Sequence, residues 1–126
     1  MRIFKTRWIH RWASKERLTD ASLLTAVEEV RRGLVDADLG GHVFKKRVAL
    51  SGRGKSGGVR ILLVFKRDHN RMFFVYGFAK KARATISDSE LRALRRLAED
   101  LLGYDETQIE KALDAKELME VKKDGE

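Results

Sequence analysis

Three apolar, strand-like runs follow one another between residues 43 and 78, and the connections between them are too short to hold a crossover helix. Val43 to Leu50, Val59 to Phe65 and Met72 to Phe78 are rich in β-branched and aromatic residues. Gly52, Gly54, Gly57 and Gly58 punctuate the first connection, and Arg67-Asp68-His69-Asn70 reads as a hairpin turn. Short connections favour antiparallel pairing, so the centre of the chain reads as an antiparallel meander.

Helical patterns flank the meander. Trp8, Ile9, Trp12 and Ala13 recur at helical spacing. Thr19 can cap a second helix carrying Leu23, Leu24, Val27 and Val30 on one side, which Gly33 ends. Residues 34–42 read as a loop. Ser87-Asp88-Ser89-Glu90 is a capping box ahead of Leu91, Leu94, Leu97, Ala98, Leu101 and Leu102. Asp105 to Leu113 offers another short helix. Arg2-Ile3-Phe4-Lys5 is a strand or a lead-in, and Leu118 to Val121 a strand or a tail. The order predicts an α+β protein: N-terminal helices packed on a small twisted antiparallel sheet, then a C-terminal helix. At 126 residues the chain fits a single domain, 1–126.

Charge is distributed unevenly. The whole chain carries a formal +8. Residues 1–85 hold 20 Lys/Arg against 7 Asp/Glu, whereas residues 86–126 hold 7 against 12. Between 45 and 83 there are 12 basic residues and one acid, Asp68. A basic body followed by an acidic segment from about 87 to 126 points to an anionic partner for the body. The acidic segment either closes the core as a solvated helix or folds over the basic face.

Several classes are excluded or disfavoured. No cysteine is present, which rules out a disulfide scaffold, a thiolate nucleophile and a zinc finger. His10, His42 and His69 lack metal-ligand spacing, so no metal and no cofactor is expected, although His42 lies close to the first cationic strand. The longest near-apolar run, Met72 to Ala79, is far short of the ~20 residues a membrane helix needs. No apolar leader follows Arg2, Lys5 and Arg7, so the expected location is cytoplasmic, with no membrane partner. Gly52-Arg53-Gly54-Lys55-Ser56 resembles a nucleotide-binding loop, but Ala49 stands where that motif needs glycine and a strand follows instead of a helix.

Alternation along the strands then gathers cations. Lys45 and Arg47 share one face of the first strand, and Arg60, Leu62 and Val64 share one face of the second. Lys46 falls on the core side by parity and is expected to snorkel at an edge. Lys80 and Lys81 follow the third strand, Arg83 lies just beyond, and the glycine-rich loop adds Arg53 and Lys55. Such convergence suits a phosphate chain. Phe73, Phe74, Tyr76 and Phe78 cannot all face the same way; Phe78, beside the lysines, is the better ring for stacking a base. Trp8 and Trp12 read as core or interface.

The segments Leu34-Val35-Asp36-Ala37-Asp38-Leu39-Gly40-Gly41, Lys45-Lys46-Arg47-Val48-Ala49, Gly52 to Arg60 and Phe74-Val75-Tyr76-Gly77-Phe78-Ala79-Lys80-Lys81, together with Phe4-Lys5, resemble the HigB-type branch of the RelE/ParE toxins of bacterial type II toxin–antitoxin systems. The resemblance spans most of residues 1–90. It implies helices on a small twisted sheet with a basic concave face. It also implies a growth-inhibiting toxin: a ribosome-dependent mRNA endoribonuclease (an mRNA interferase) in which the substrate's own 2′-hydroxyl attacks the scissile phosphate without a metal ion. The implied partners are mRNA, the ribosome and a cognate antitoxin, often a helix-turn-helix protein.

Carried onto this chain, the resemblance assigns catalysis to Lys45, Arg47, Arg60, Lys80 and Lys81, and the clustering of cations adds Lys55 from the glycine-rich loop. RNA binding falls to Lys46, Arg53, Phe78 and Arg83. The tyrosine that RelE-like nucleases use would fall near Ser87, where none stands, so Lys45 or Lys55 is left as base. Two alternatives stay open: a ParE-like toxin that poisons gyrase and cuts nothing, and a non-catalytic nucleic-acid-binding module.

Overall fold

A computed structural model describes residues 1–50 and 58–122. The glycine-rich stretch, with Arg53 and Lys55, lies outside the described residues. The elements in order are β1 (Arg2–Thr6), α1 (Arg7–Glu16), α2 (Asp20–Arg31), β2 (Ala37–Asp38), β3 (Val43–Val48), β4 (Val59–Phe65), β5 (Arg71–Ala79), α3 (Asp88–Leu102), α4 (Glu106–Asp114) and β6 (Leu118–Val121).

The meander forms as the sequence predicts, with β3, β4 and β5 paired antiparallel. The sheet is larger than expected, and it is mixed. Its order is β2-β3-β4-β5-β1-β6, with β1 running parallel to β5 and β6 antiparallel to β1. Both segments left open between strand and tail are strands, and Ala37–Asp38, expected in a loop, pairs with β3. The pairing of β1 with β5 joins segments some seventy residues apart, which no local pattern announces.

Helices cover both faces. On one, α1 and α2 supply Ile9, Ala13, Leu23, Val27 and Val30, which pack with Ile3, Val59, Ile61, Leu63, Met72 and Phe74. On the other, α3 and α4 supply Ala98, Leu101, Ile109 and Ala112, which pack with Phe4, Val43, Leu62, Val64, Phe73 and Val75. Being central and covered on both sides, β4 is buried at every position, which is why it reads as an almost unbroken apolar run. The expected caps are in place. Thr19 accepts from Ser22 N–H, Gly33 is left-handed (φ 83°), and Ser87 and Glu90 form the reciprocal box that opens α3. Asp105 and Gln108 form a second such box ahead of α4.

One irregularity sets the orientation of β5. Leu62 pairs with Tyr76 but Leu63 pairs with Phe74, so Val75 is an extra residue, a β-bulge. Across it the alternation of faces slips by one. Phe73 and Val75 point toward α3 and α4, and so do Tyr76 and Phe78. Gly77 faces the opposite way, against Trp12.

Candidate functional site

The bulge and the register lay two rows across one face of the sheet. Arg47 of β3 stands opposite Arg60 of β4, which stands opposite Phe78 of β5. Beside this row run Lys45, Leu62 and Tyr76. Directly opposed side chains in such pairs lie ~5 Å apart at Cβ. Lys45, Arg47 and Arg60 therefore form one cationic cluster edged by two rings, on the side of the sheet where α3 and α4 pack.

Arg60 is the unusual member. It is only 8% exposed, and its Nη1 finds no hydrogen-bond partner among the described residues. A buried guanidinium donor without an acceptor costs about 1–3 kcal/mol, so this nitrogen can still donate to an anionic partner. Arg47 is half-exposed. Its Nε lies 3.4 Å from Asp36 Oδ1, and its backbone N–H donates to the same carboxylate. Asp36 thus anchors the end of β3 and stands at the rim, an acidic neighbour that charge counting alone does not single out. Lys45 is part-buried and has no ion pair among the described residues.

A polar clamp closes the β5 side. Arg83 donates to Glu90 through Nη1 (2.9 Å) and Nη2 (2.6 Å) and lies over the Phe78 ring at 5.8 Å. Its Nη1 also reaches Tyr76 Oη at 3.5 Å, and that hydroxyl lies 3.4 Å from Glu90 Oε2. The Arg83 guanidinium, helped by the Ser87 N–H and hydroxyl, holds the Glu90 carboxyl down to about 2. Tyr76 itself lies against Trp8, with ring centroids 4.4 Å apart. Trp8 is 44% exposed, so it is not a core position.

Not every predicted residue joins this cluster. Lys46 points to the opposite face, where its ammonium is buried and paired with Glu29 of α2 at 3.2 Å. Its parity was legible, but it is a structural ion pair and not an exposed RNA contact. Lys80 and Lys81 are exposed in the turn after β5, at the same end of the sheet as Arg60. His42 sits at the far end of β3 from Arg47. Sequence reasoning missed Asp36, Tyr76 and Glu90; the Tyr76 position depends on the bulge, which strict alternation does not reveal. Among the described residues, no group of three or more His, Asp or Glu stands together as a metal site.

The acidic segment also has a place. Glu106, Glu110 and Glu120 gather around Arg2, and Glu106 also meets Arg71 at 2.5 Å. These acids neutralise the β1 and β5 starts, while α3 and α4 close the core. They do not lie across Lys45, Arg47 and Arg60.

Fold and site together define a small basic α+β protein with a cationic, aromatic-edged sheet face suited to a phosphate. A family model of the RelE toxin of the RelE/RelB toxin–antitoxin system matches residues 1–121. The chain belongs to the RelE toxin family and is the toxin of such a system, which implies an antitoxin as its partner. No curated protein matches it. Among the described residues no helix is long and apolar enough to cross a membrane.

Proposed function

We propose that this toxin is a HigB-type mRNA endoribonuclease acting on translating ribosomes in the cytoplasm. The observation that carries the reading is the buried Arg60 guanidinium between Arg47 and Phe78, whose Nη1 has no acceptor among the described residues. A scissile phosphate would accept from Arg60 and Arg47, which suit bidentate contact with its oxygens. The substrate's 2′-oxygen attacks phosphorus and gives up its proton to a base. The phosphorus–5′-oxygen bond breaks, and the leaving oxygen takes a proton from an acid. The products are a 2′,3′-cyclic phosphate and a free 5′-hydroxyl. The two arginines offset charge on the phosphorane, where such donors act most strongly. Lys45, on the same face, is assigned as the base, with Lys55 as the alternative. Lys80 and Lys81 flank the leaving side; Phe78, expected from the sequence to stack a base, is 4% exposed and covered by Arg83, so it backs the cationic row and presents no open face.

Induced expression with and without the neighbouring antitoxin, followed by RNA end mapping, tests this. Cuts within translated codons bearing cyclic-phosphate ends are expected, and Arg47→Ala or Arg60→Met should each slow cleavage by about 10²-fold or more. DNA breaks with an SOS response, and intact mRNA, would establish the gyrase-directed alternative. Salt-sensitive RNA binding without growth arrest would leave only a binding module.

A further inference from the structure

A second group of cations gathers at the other end of β3. The cleft there, about 670 Å³, is bordered by the β2–β3 loop, the end of β4 and the later turns of α3. Arg92, Arg95 and Arg96 line it from the helix, and Lys66, His42 and His69 line it from the strand ends. Among the described residues, Glu99 is the one acid on its wall.

The arginines have separate tasks. Arg95 lies across Gly40 and Gly41, and its Nε and Nη2 donate to the Leu39 carbonyl. Both glycines have positive φ, and a Cβ on either would come within about 3 Å of the Arg95 side chain, so this close seat needs glycine. Arg95 is thus a strut that fixes the cleft wall. Arg92 and Arg96 are exposed and have no ion pair among the described residues. They stand four apart on one helix face, an arrangement in which like charges repel. Lys66, at the end of β4, faces the same space, with Asp68 as its nearby acid and Asp68 itself 3.3 Å from His69 Nδ1. The surrounding segment is acidic overall, so its arginines have been segregated onto the one side that meets more cations.

We infer that this cleft, walled by Arg92, Arg96 and Lys66, is a second phosphate-binding site that holds the backbone of the same single-stranded RNA away from the reacting bond. It lies on the same side of the sheet as Arg47 and Arg60. Five residue steps of β3 separate His42 from Arg47, about 17 Å along the strand. A ligand charged at every unit engages both ends of that span, and an isolated phosphate does not. Among the described residues the lining carries four long cationic side chains against one carboxylate, a balance that suits phosphate contacts. The choice of RNA rests on the nuclease reading; the binding measurement below does not use cleavage, so the two can fail separately.

The test is fluorescence anisotropy with a short, non-cleavable 2′-O-methyl RNA strand across a salt series. The variant combines Arg92→Gln, Arg96→Gln and Lys66→Gln, all at solvent-accessible positions, with its melting temperature checked against the parent. Loss of three phosphate contacts should flatten the slope of log K against log salt by about 2, and weaken low-salt binding at least ~10-fold. Arg60→Met should flatten it by about one contact's worth, ~0.7. An unchanged slope in the triple variant overturns the inference whatever cleavage assays show. So does equal competition by a polyglutamate peptide, which would mark the cleft as a dock for an acidic protein.

Discussion

Arg60 holds a full charge at a position where the strand around it is apolar on both faces. Its neighbours along β4 are Val59 and Ile61, both wholly buried. Replacing a buried, under-partnered charge with an apolar side chain of similar length removes a desolvation cost and keeps the volume filled. Arg60→Met should therefore stabilise the free protein by about 1 kcal/mol, a rise in Tm of roughly 4 °C, while toxicity is lost. Thermal melts of a purified variant check the first half and growth curves the second. A lower Tm would mean that Arg60 contributes to the fold and is not held ready for an anion. The opposite pattern is expected at Lys46, whose buried ammonium pairs with Glu29: breaking that part-buried pair should lower the melting temperature.

Among the elements, β5 does most to shape the site, because one strand serves two incompatible packings. Its first half lies between β4 and β1, and its second half loses β1 and borders α1 instead. There Gly77 leaves room for Trp12, and a Cβ at Gly77 would stand 2.4 Å from the indole. Gly77→Ala should cost about 2 kcal/mol by overpacking. In Trp12→Leu, which clears that space, the same glycine substitution should cost at least ~1 kcal/mol less. Urea unfolding of the four proteins in this cycle measures the coupling, and additive costs would show that the two residues do not compete for one space. The bulge at Val75 explains why the site was only partly legible in the sequence. Lys45, Arg47 and Arg60 lie before any irregularity, so alternation placed them together correctly. Tyr76 lies just after one, and alternation gives it the wrong face. The capping box at Ser87 and Glu90 was legible because it is local, whereas the clamp from Glu90 to Arg83 and Tyr76 is tertiary. The segregated arginines of α3 were hidden by an average over an acidic segment.

At the scale of the whole molecule, carboxylates from the C-terminal third tie the two ends of the chain together. Glu120 of β6 accepts from Arg2 of β1 across 118 residues, and Glu90 at the start of α3 accepts from Arg83. Arg2 holds Glu120 below its ordinary value, and Arg83 with Ser87 holds Glu90 at about 2 against an ordinary 4.5. A carboxyl whose folded value is depressed binds fewer protons in the folded state than in the unfolded one. Its contribution is therefore complete above about 4.5 and is lost as pH falls toward 2. The loss compounds, because protonating acids in a chain of formal charge +8 leaves more cations to repel one another. The melting temperature should accordingly fall through that acid window. Glu90→Gln should melt lower at neutral pH and then descend less steeply, since it has no proton to take up at that position. Melting curves collected from neutral pH to pH 2 compare the two slopes. Parallel curves would place the acid sensitivity elsewhere, and would leave the Arg83 clamp as a surface pair of little consequence for folding.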